Sequence, residues 1–158
     1  MGRTKKSFRD KLADSKDLPR VAEIPPQLAA RWGVSGTMVI PAPREVDAVM
    51  RRVPRGRLIT VNQIRAALAR KHGVDTACPI TTGIFASIAA RAAGEDEAEG
   101  RRRVTPYWRT LKGSGELNPK YPGGLAEQKK RLRAEGHEIV TRGQRAFVAE
   151  PERRLLKG

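Results

Sequence analysis

The most regular pattern of apolar and polar positions in the chain begins at Thr60. Thr60 and Gln63 have the spacing of a capping box, in which the two side chains satisfy backbone N–H groups at the start of a helix. The residues that follow on one helical face are Ile64, Ala67 and Leu68. Gly73 is well placed to end the helix, so the pattern predicts a helix that starts after Thr60 and runs to near Lys71.

A second helix is predicted after Pro79, with its first turn near Thr81 or Thr82. Its apolar positions recur at the spacing of one buried helical face. These positions are Ile84, Phe85, Ile88 and Ala92. Two short helices joined by a polar turn are typical of a helix-turn-helix unit.

Shorter patterns predict the elements on either side of this unit. Residues 37–41 suit a strand, residues 45–52 carry apolar side chains at helical spacing, and a third helix follows Gly124 and ends at Gly136. Residues 94–100 are rich in acids and are expected to form an exposed loop or a frayed helix end, with a boundary near Gly100. The last eight residues, 151–158, are expected to be loosely held.

A β-hairpin is predicted near the end of the chain. Ile139 and Val140 would face Phe147 and Val148 across a turn that contains Gly143. Two uses of this hairpin remain open. It acts as a wing that touches the backbone of a binding partner through Arg142 and Arg145, or it only covers the core.

The charge of the chain points to a polyanionic partner. Its 158 residues include 32 Lys and Arg against 17 Asp and Glu, a formal net charge of +15. Residues 48–74 contain no acid, and their cations are Arg51, Arg52, Arg55, Arg57, Arg65, Arg70 and Lys71. Lysine and arginine near phosphates release counterions, which gives affinity for any nucleic acid. A solvated basic face without a specific ligand, or an RNA-binding protein, has the same composition.

Several other classes of protein are disfavoured. No apolar run approaches the roughly 20 residues that span a bilayer, so no membrane partner is expected. The basic N-terminus lacks the apolar region of a secretory signal, which favours a cytoplasmic location. One cysteine, Cys78, and two histidines, His72 and His137, predict no disulfide, no metal site and no cofactor. We expect Cys78 to be a packed thiol, and each histidine to lie at the surface or to cap a helix.

Aromatic residues, which are scarce elsewhere, gather at residues 104–136. Tyr107, Trp108 and Arg109 follow Pro106, and Tyr121 lies nearby. Aromatic and arginine side chains stack on nucleobases, but buried tyrosine and tryptophan equally often fill a core. Both interpretations remain open at this point.

The order of these segments resembles the DNA-binding domain of the alkylguanine-DNA alkyltransferases, and more closely the alkyltransferase-like proteins that lack the reactive cysteine. The resemblance covers about 90 residues, from Val46 to Gly136. It rests on the order of a Pro-x-Gly turn at 54–56, the two helices, a Pro-Tyr-Trp-Arg motif at 106–109, a Tyr-Pro-Gly-Gly loop at 121–124 and Leu-Arg-Ala-Glu-Gly at 132–136.

This resemblance implies a mainly α fold with small β elements, namely a winged helix-turn-helix DNA-binding domain with a basic N-terminal extension and a C-terminal β-hairpin. The expected divisions are an extension at 1–36, the alkyltransferase-like domain at 37–136, and the hairpin and tail at 137–158. The expected DNA-binding residues are Arg55, Arg57, Asn62, Gln63, Thr81, Thr82, Gly83 and Ser87. The expected base pocket consists of Pro106, Tyr107, Trp108, Arg109 and Tyr121.

The chain departs from the family at the positions that carry its chemistry. Tyr107 stands at the cysteine position and Trp108 at the histidine position, and a phenol with a pKa of about 10 is a poor nucleophile at neutral pH. Alkyl transfer is therefore excluded, and the cysteine-free relatives carry tryptophan where this chain has Tyr107. Val61 matches the aromatic residue that rotates a phosphate, and Gly83 matches the arginine that enters the vacated base stack.

Three functions are compatible with these observations. The leading hypothesis is a base-flipping protein of DNA repair that recognises damaged or modified bases in double-stranded DNA, works near the nucleoid and leaves repair to partner proteins. The alternative is a DNA glycosylase, for which Asn62, Asp75 and Glu135 are the candidate catalytic residues. The third is a DNA-binding regulator that flips no base.

Overall fold

The computed structural model describes residues 6–156, and within them six α-helices alternate with seven short strands. The helices are α1 (Phe8–Ala13), α2 (Pro26–Trp32), α3 (Pro43–Arg51), α4 (Val61–His72), α5 (Pro79–Ala98) and α6 (Gly124–Ala134). The strands are β1 (Arg20–Glu23), β2 (Thr37–Ile40), β3 (Ile59–Thr60), β4 (Thr76–Ala77), β5 (Thr110–Leu111), β6 (Ile139–Arg142) and β7 (Arg145–Val148). Single 3₁₀ turns lie at Tyr107–Arg109 and Pro151–Arg153. The chain therefore combines helices with small β elements, as predicted.

The first predicted helix is confirmed as α4. The hydroxyl of Thr60 accepts a hydrogen bond from the backbone N–H of Gln63 at 3.2 Å, and Oε1 of Gln63 accepts one from the N–H of Thr60 at 3.0 Å. Gly73 ends the helix with φ of +64°, a left-handed conformation that glycine adopts without steric cost. Local chemistry at both ends therefore sets the length of this helix.

Helix α5 is longer than predicted, and Ile84, one of its expected core residues, is exposed. It begins at Pro79, because proline is favoured in the first turn of a helix. Phe85 and Ala92 are buried as predicted, but Ile84 is 51% exposed, so its predicted burial is wrong. Ile84 and Phe85 are neighbours about 100° apart around the helix, and the buried face is centred on Phe85.

The acidic stretch predicted as an exposed loop or frayed helix end is largely the last turn of α5, and it anchors the N-terminal segment. The carboxylate of Glu95 accepts hydrogen bonds from the backbone N–H groups of Phe8 and Arg9 at 3.0 and 2.9 Å. The guanidinium of Arg9 donates to both oxygens of Glu99 at 2.7 and 2.6 Å. A carboxylate at a helix N-terminus satisfies free N–H groups, so these acids stabilise α1.

Three strands form the sheet beside the helices. Strand β2 lies in the centre, antiparallel to β1 and parallel to β4. Val21 of β1 pairs with Val39 of β2. Strand β1 belongs to the segment expected to be the N-terminal extension, and α1 of the same segment packs against α5 and α3. This segment thus adds a strand to the sheet and a helix to the outer side of the α3–α5 pair.

The predicted hairpin is confirmed as β6 and β7, in which Ile139 pairs with Val148. Ala146 and Val148 are buried in a small core with Leu117 and Leu132. The inner face of the hairpin therefore covers this core.

The last described residues are held more firmly than predicted. Leu155 forms a parallel bridge with Leu58, and the backbone N–H of Leu156 donates to the carbonyl of Leu58 at 2.9 Å. The side chain of Gln63 also donates to the carbonyl of Leu156, at 2.8 Å. The expectation of a loose tail is therefore wrong for residues 151–156, while residues 157–158 lie outside the described part of the chain.

No helix among residues 6–156 combines the length and the apolar composition that crossing a bilayer requires.

His137 caps the end of α6 through its backbone, as expected, but its side chain is buried, so its predicted surface position is wrong. Its backbone N–H donates to the carbonyl of Leu132, which turns the ring inward after α6. The ring nitrogen Nε2 has no hydrogen-bond partner among the described residues. Burial, which disfavours the charged form, is the main cause of a lowered pKa of His137, and Glu135 partly opposes it.

We expect this histidine to make the protein less stable in acid. Unfolded His137 has a pKa of about 6.5, so it gains a proton on unfolding between that pH and its lower folded pKa. The free energy of unfolding should fall in this window as pH decreases, by up to about 1.4 kcal/mol per pH unit. Urea denaturation at a series of pH values measures this slope.

The His137→Gln variant should lose that part of the slope, whereas His72→Gln, which removes the half-buried partner of Glu45, controls for the loss of a histidine as such. Equal slopes for the parent and His137→Gln would contradict the assignment.

Candidate functional site

Tyr107 is part of the core, although it lies at the position that the resemblance gives to a nucleophile. Only 1% of the residue is exposed, and its ring meets Trp108 and Tyr121 edge-on at centroid distances of 5.3 and 5.9 Å. Its hydroxyl donates to the carbonyl of Pro122 at 3.4 Å. Burial raises the pKa of Tyr107 to about 12. The phenol is therefore neutral at physiological pH.

A buried ion pair holds the turn that carries these aromatic residues. The Arg109 guanidinium donates to Glu135 at 2.8 and 2.9 Å and to the carbonyl of Val53 at 2.8 Å. The indole N–H of Trp108 donates to the same Glu135 carboxylate at 2.9 Å. Burial alone would raise the pKa of Glu135, but the hydrogen bonds from Arg109 and Trp108 outweigh it and hold that pKa below its ordinary value.

Removing one partner of this pair should destabilise the whole fold. Arg109→Met leaves the Glu135 carboxylate buried without its cation, which typically costs about 3–5 kcal/mol of unfolding free energy. The double variant Arg109→Met, Glu135→Gln should recover part of that loss, because no buried charge is then left unpaired. Urea denaturation measures both values.

Arg103→Ala, which removes an exposed arginine from the loop before the turn, is the matched control and should have little effect. A loss below about 1 kcal/mol for Arg109→Met would show that the pair does not hold the turn.

Arg131 of α6 covers the aromatic residues. Its guanidinium carbon lies 4.5 Å from the Trp108 ring centroid and 5.4 Å from that of Tyr107. Glu97 and Glu127 hold it through ion pairs at 2.9 and 3.0 Å. A flat cation thus rests on a surface of the kind that stacks on nucleobases.

The residues of the expected base pocket are brought together but fill the space themselves. Pro106, Tyr107 and Tyr121 are buried, whereas Trp108 and Arg109 are half-buried. Burial strongly raises the pKa of Tyr121 as well. In this conformation the cluster is packed as a core, and its use as a base pocket stays a prediction.

The expected DNA-binding residues lie around α4 and the start of α5. Arg55, Arg57 and Asn62 are exposed, while those that are half-buried are Gln63, Thr81, Gly83 and Ser87. Gln63 is already engaged in the capping box. Thr82 is fully buried and its hydroxyl donates to the carbonyl of Cys78 at 2.7 Å. The prediction that Thr82 reaches DNA is therefore corrected, because its hydroxyl satisfies the helix instead.

The three candidate catalytic residues of the glycosylase alternative have separate surroundings. Asp75 accepts hydrogen bonds from the backbone N–H and the hydroxyl of Thr37 at 2.8 and 3.3 Å. Asn62 accepts one from Arg65 at 3.3 Å, and Glu135 is committed to its ion pair. Both carboxylates are thus occupied by contacts that hold the fold.

Two features were missed by sequence reasoning. Ile80 and Ile84 are exposed on the outer face of α5, where only the helical phase distinguishes an outward from an inward isoleucine. Arg131 lies on the aromatic cluster, but its position depends on how α6 packs, for which the chain carries no local signal.

Cys78 is buried at the start of α5, as expected of a packed thiol. Among residues 6–156, no group of three His, Cys, Asp or Glu side chains is arranged to hold a metal ion.

Neither a protein-family model nor a curated protein sequence matches the chain. Solved structures that resemble it include the alkyltransferase-like protein of S. pombe in complex with DNA, with a TM-score of 0.53 at 20% identity, covering 73% of this chain and 94% of that chain. A structure of S. pombe Atl1 in complex with damaged DNA containing O6-carboxymethylguanine has a TM-score of 0.48 at 19% identity over the same shares. The first likeness establishes the fold: this chain is folded like an alkyltransferase-like protein.

Proposed function

We propose that the chain binds duplex DNA and recognises damaged or modified bases without alkyl transfer. The observation that carries this proposal is the charge of the α4–α5 region. Residues 48–94 contain one acid, Asp75, and eight cations. The cations of this stretch outnumber its single acid, and the excess of positive charge favours a phosphate backbone.

The fold likeness supports a specific docking geometry. The related S. pombe protein was crystallised in complex with DNA. By analogy, α4 and α5 form the helix pair of a winged helix-turn-helix domain, with α5 as the recognition helix and β6–β7 in the position of the wing. Arg145 of the hairpin is paired with Glu116 at 2.7 Å, which favours a covering role for β7 and leaves the exposed Arg142 for a backbone contact.

Recognition of a base would use the aromatic cluster around Trp108. A base that leaves the stack needs a flat partner, and Arg131 already rests on the faces of Trp108 and Tyr107. We infer that the base displaces Arg131 or stacks on its guanidinium, with Trp108 and Arg109 at the rim. Extrusion is cheapest for mispaired or modified bases, which supplies selectivity without a chemical step.

Alkyl transfer is not part of this proposal because the cluster offers no nucleophile. The neutral phenol of Tyr107 has a pKa of about 12, and Cys78 is buried at the other end of α5. Repair of the lesion is therefore left to partner proteins. Among residues 6–156, Glu135 and Asp75 are both engaged in contacts that hold the fold, which disfavours base excision.

The proposal predicts tighter binding to a lesion. The chain should bind a duplex with one O6-methylguanine at least about tenfold more tightly than the same duplex with guanine, because the modified base leaves the stack at lower cost. Fluorescence anisotropy at several salt concentrations measures both affinities. Equal affinities at every salt concentration would refute lesion recognition.

The same duplexes also distinguish the enzymatic alternatives. After incubation with excess protein the methyl group should remain on the DNA, and alkali should leave the strands intact. Strand cleavage on a panel with uracil, hypoxanthine or alkylated bases would instead establish a glycosylase.

Phosphate contacts near the turn before β3 should appear in the salt dependence of binding. If Arg57 contacts one phosphate, Arg57→Ala lowers the slope of log K against log salt concentration by about 0.9 on B-form DNA. Arg20→Ala, which removes an exposed arginine from β1, is the matched control and should leave the slope unchanged. The same slope for both variants would place Arg57 away from the DNA.

A further inference from the structure

Two of the large apolar side chains that are exposed among the described residues lie together on α5. Ile80 is 62% exposed and Ile84 is 51% exposed. The other two, Val21 at 52% and Val140 at 36%, lie on separate strands, β1 and β6. An apolar pair on the outer face of one helix is a feature that packing of the core does not explain.

The geometry of the pair is that of a short ridge. Residues four positions apart lie on one face of a helix, with their Cβ atoms about 5–6 Å apart. Gly83 lies beside them, and a Cβ at that position would meet nothing within 4 Å, so the helix surface next to the ridge is open as well. Isoleucine is branched at Cβ and has few rotamers, so ordering it on binding costs little entropy.

The surroundings of the ridge favour DNA over a protein partner. From Thr76 to Gly94 the chain contains no acid, and Arg91 lies two helical turns beyond Ile84 on the same face. Arg65 lies against the start of α5, where it donates to the carbonyl of Ala77 at 3.0 Å. An exposed apolar ridge on a helix stretch without acids matches a duplex, which offers apolar base faces between two rows of phosphates.

We propose that Ile80 and Ile84 form a wedge that enters the base stack and fills the space left by an extruded base. The proposal rests on the proposed function and names the residues that perform one of its steps. Gly83 has no side chain with which to enter the stack, whereas isoleucine is among the residues that unstack base steps in other DNA complexes. The partner of this ridge is thus the base stack of duplex DNA.

The experiment uses the full chain and a duplex with 2-aminopurine next to O6-methylguanine. The fluorescence of 2-aminopurine rises when the base loses its stacking partner. The variants are Ile80→Ala with Ile84→Ala, and Ile84→Leu, which keeps an apolar side chain of equal size. The matched control is Val21→Ala, which removes an exposed apolar side chain from β1.

We expect the parent, the control and Ile84→Leu to raise the fluorescence. The double isoleucine variant should lose most of the rise and about tenfold in affinity for the lesion, while its affinity for undamaged duplex at low salt changes by less than about threefold. All variants should keep the parent's melting temperature within a few degrees, because the altered side chains are exposed.

Several results would overturn the wedge. One is an unchanged fluorescence rise in the double isoleucine variant, and another is an equal loss of affinity for damaged and undamaged duplex. A third is a difference in oligomeric state between the double isoleucine variant and the parent, measured by sedimentation without DNA. That difference would assign the ridge to contact between copies of the chain.

Different results would contradict the wedge and the proposed function. If the parent prefers the lesion without any fluorescence rise, the wedge is wrong and lesion recognition stands. If the parent shows no lesion preference, lesion recognition is wrong, and a duplex with 2-aminopurine beside a mismatch still tests the wedge by the same variants. No fluorescence rise on either duplex overturns it.

Discussion

The buried ion pair between Arg109 and Glu135 is the contact on which the candidate site depends. It joins three segments that are distant in the chain: the Tyr107–Arg109 turn, the end of α6 and the loop after α3, through the carbonyl of Val53. The indole of Trp108 shares the same carboxylate, so the pair also sets the orientation of the aromatic surface. Arg109 and Trp108 together donate to both oxygens of this carboxylate. The same geometry that holds the site together therefore argues against Glu135 as a general base.

Sequence reasoning was most accurate where the determinants are local. Thr60, Gln63 and Gly73 are enough to define the bounds of α4 to within a residue, because caps act within one turn. It failed where burial depends on distant packing. Ile84 and Phe85 are both apolar. Which of the two faces inward depends only on how α5 is rotated about its axis where it packs against α3 and Tyr107. His137 likewise follows a helix whose end is turned inward, which nothing in its immediate neighbours indicates.

The site was predicted as a set of residues but not as an arrangement. The motif from Pro106 to Arg109 and the loop at Tyr121 do meet, as their order implied. Whether they would form a pocket or a core was left open from the sequence, and in this conformation the rings fill the space. The Tyr107 ring is held edge-on by Trp108 and Tyr121, so the three rings fill the space between them. In the proposed function, selectivity for a base then comes from Arg131, which lies on the aromatic surface.

Helix α5 separates its charges along its length, and this separation links the fold to the proposed function. Its residues 79–94 carry no acid, whereas residues 95–97 are all acidic. Those three acids are engaged within the fold, because Glu95 caps α1, Asp96 pairs with Arg101 and Glu97 binds Arg131. The neutral and basic half is left to present Ile80 and Ile84 at the surface. One helix thus binds the N-terminal segment and Arg131 at its acidic end and exposes Ile80 and Ile84 at the other. In the proposed function, contacts of the wedge with DNA are connected to Arg131 through this helix and Glu97.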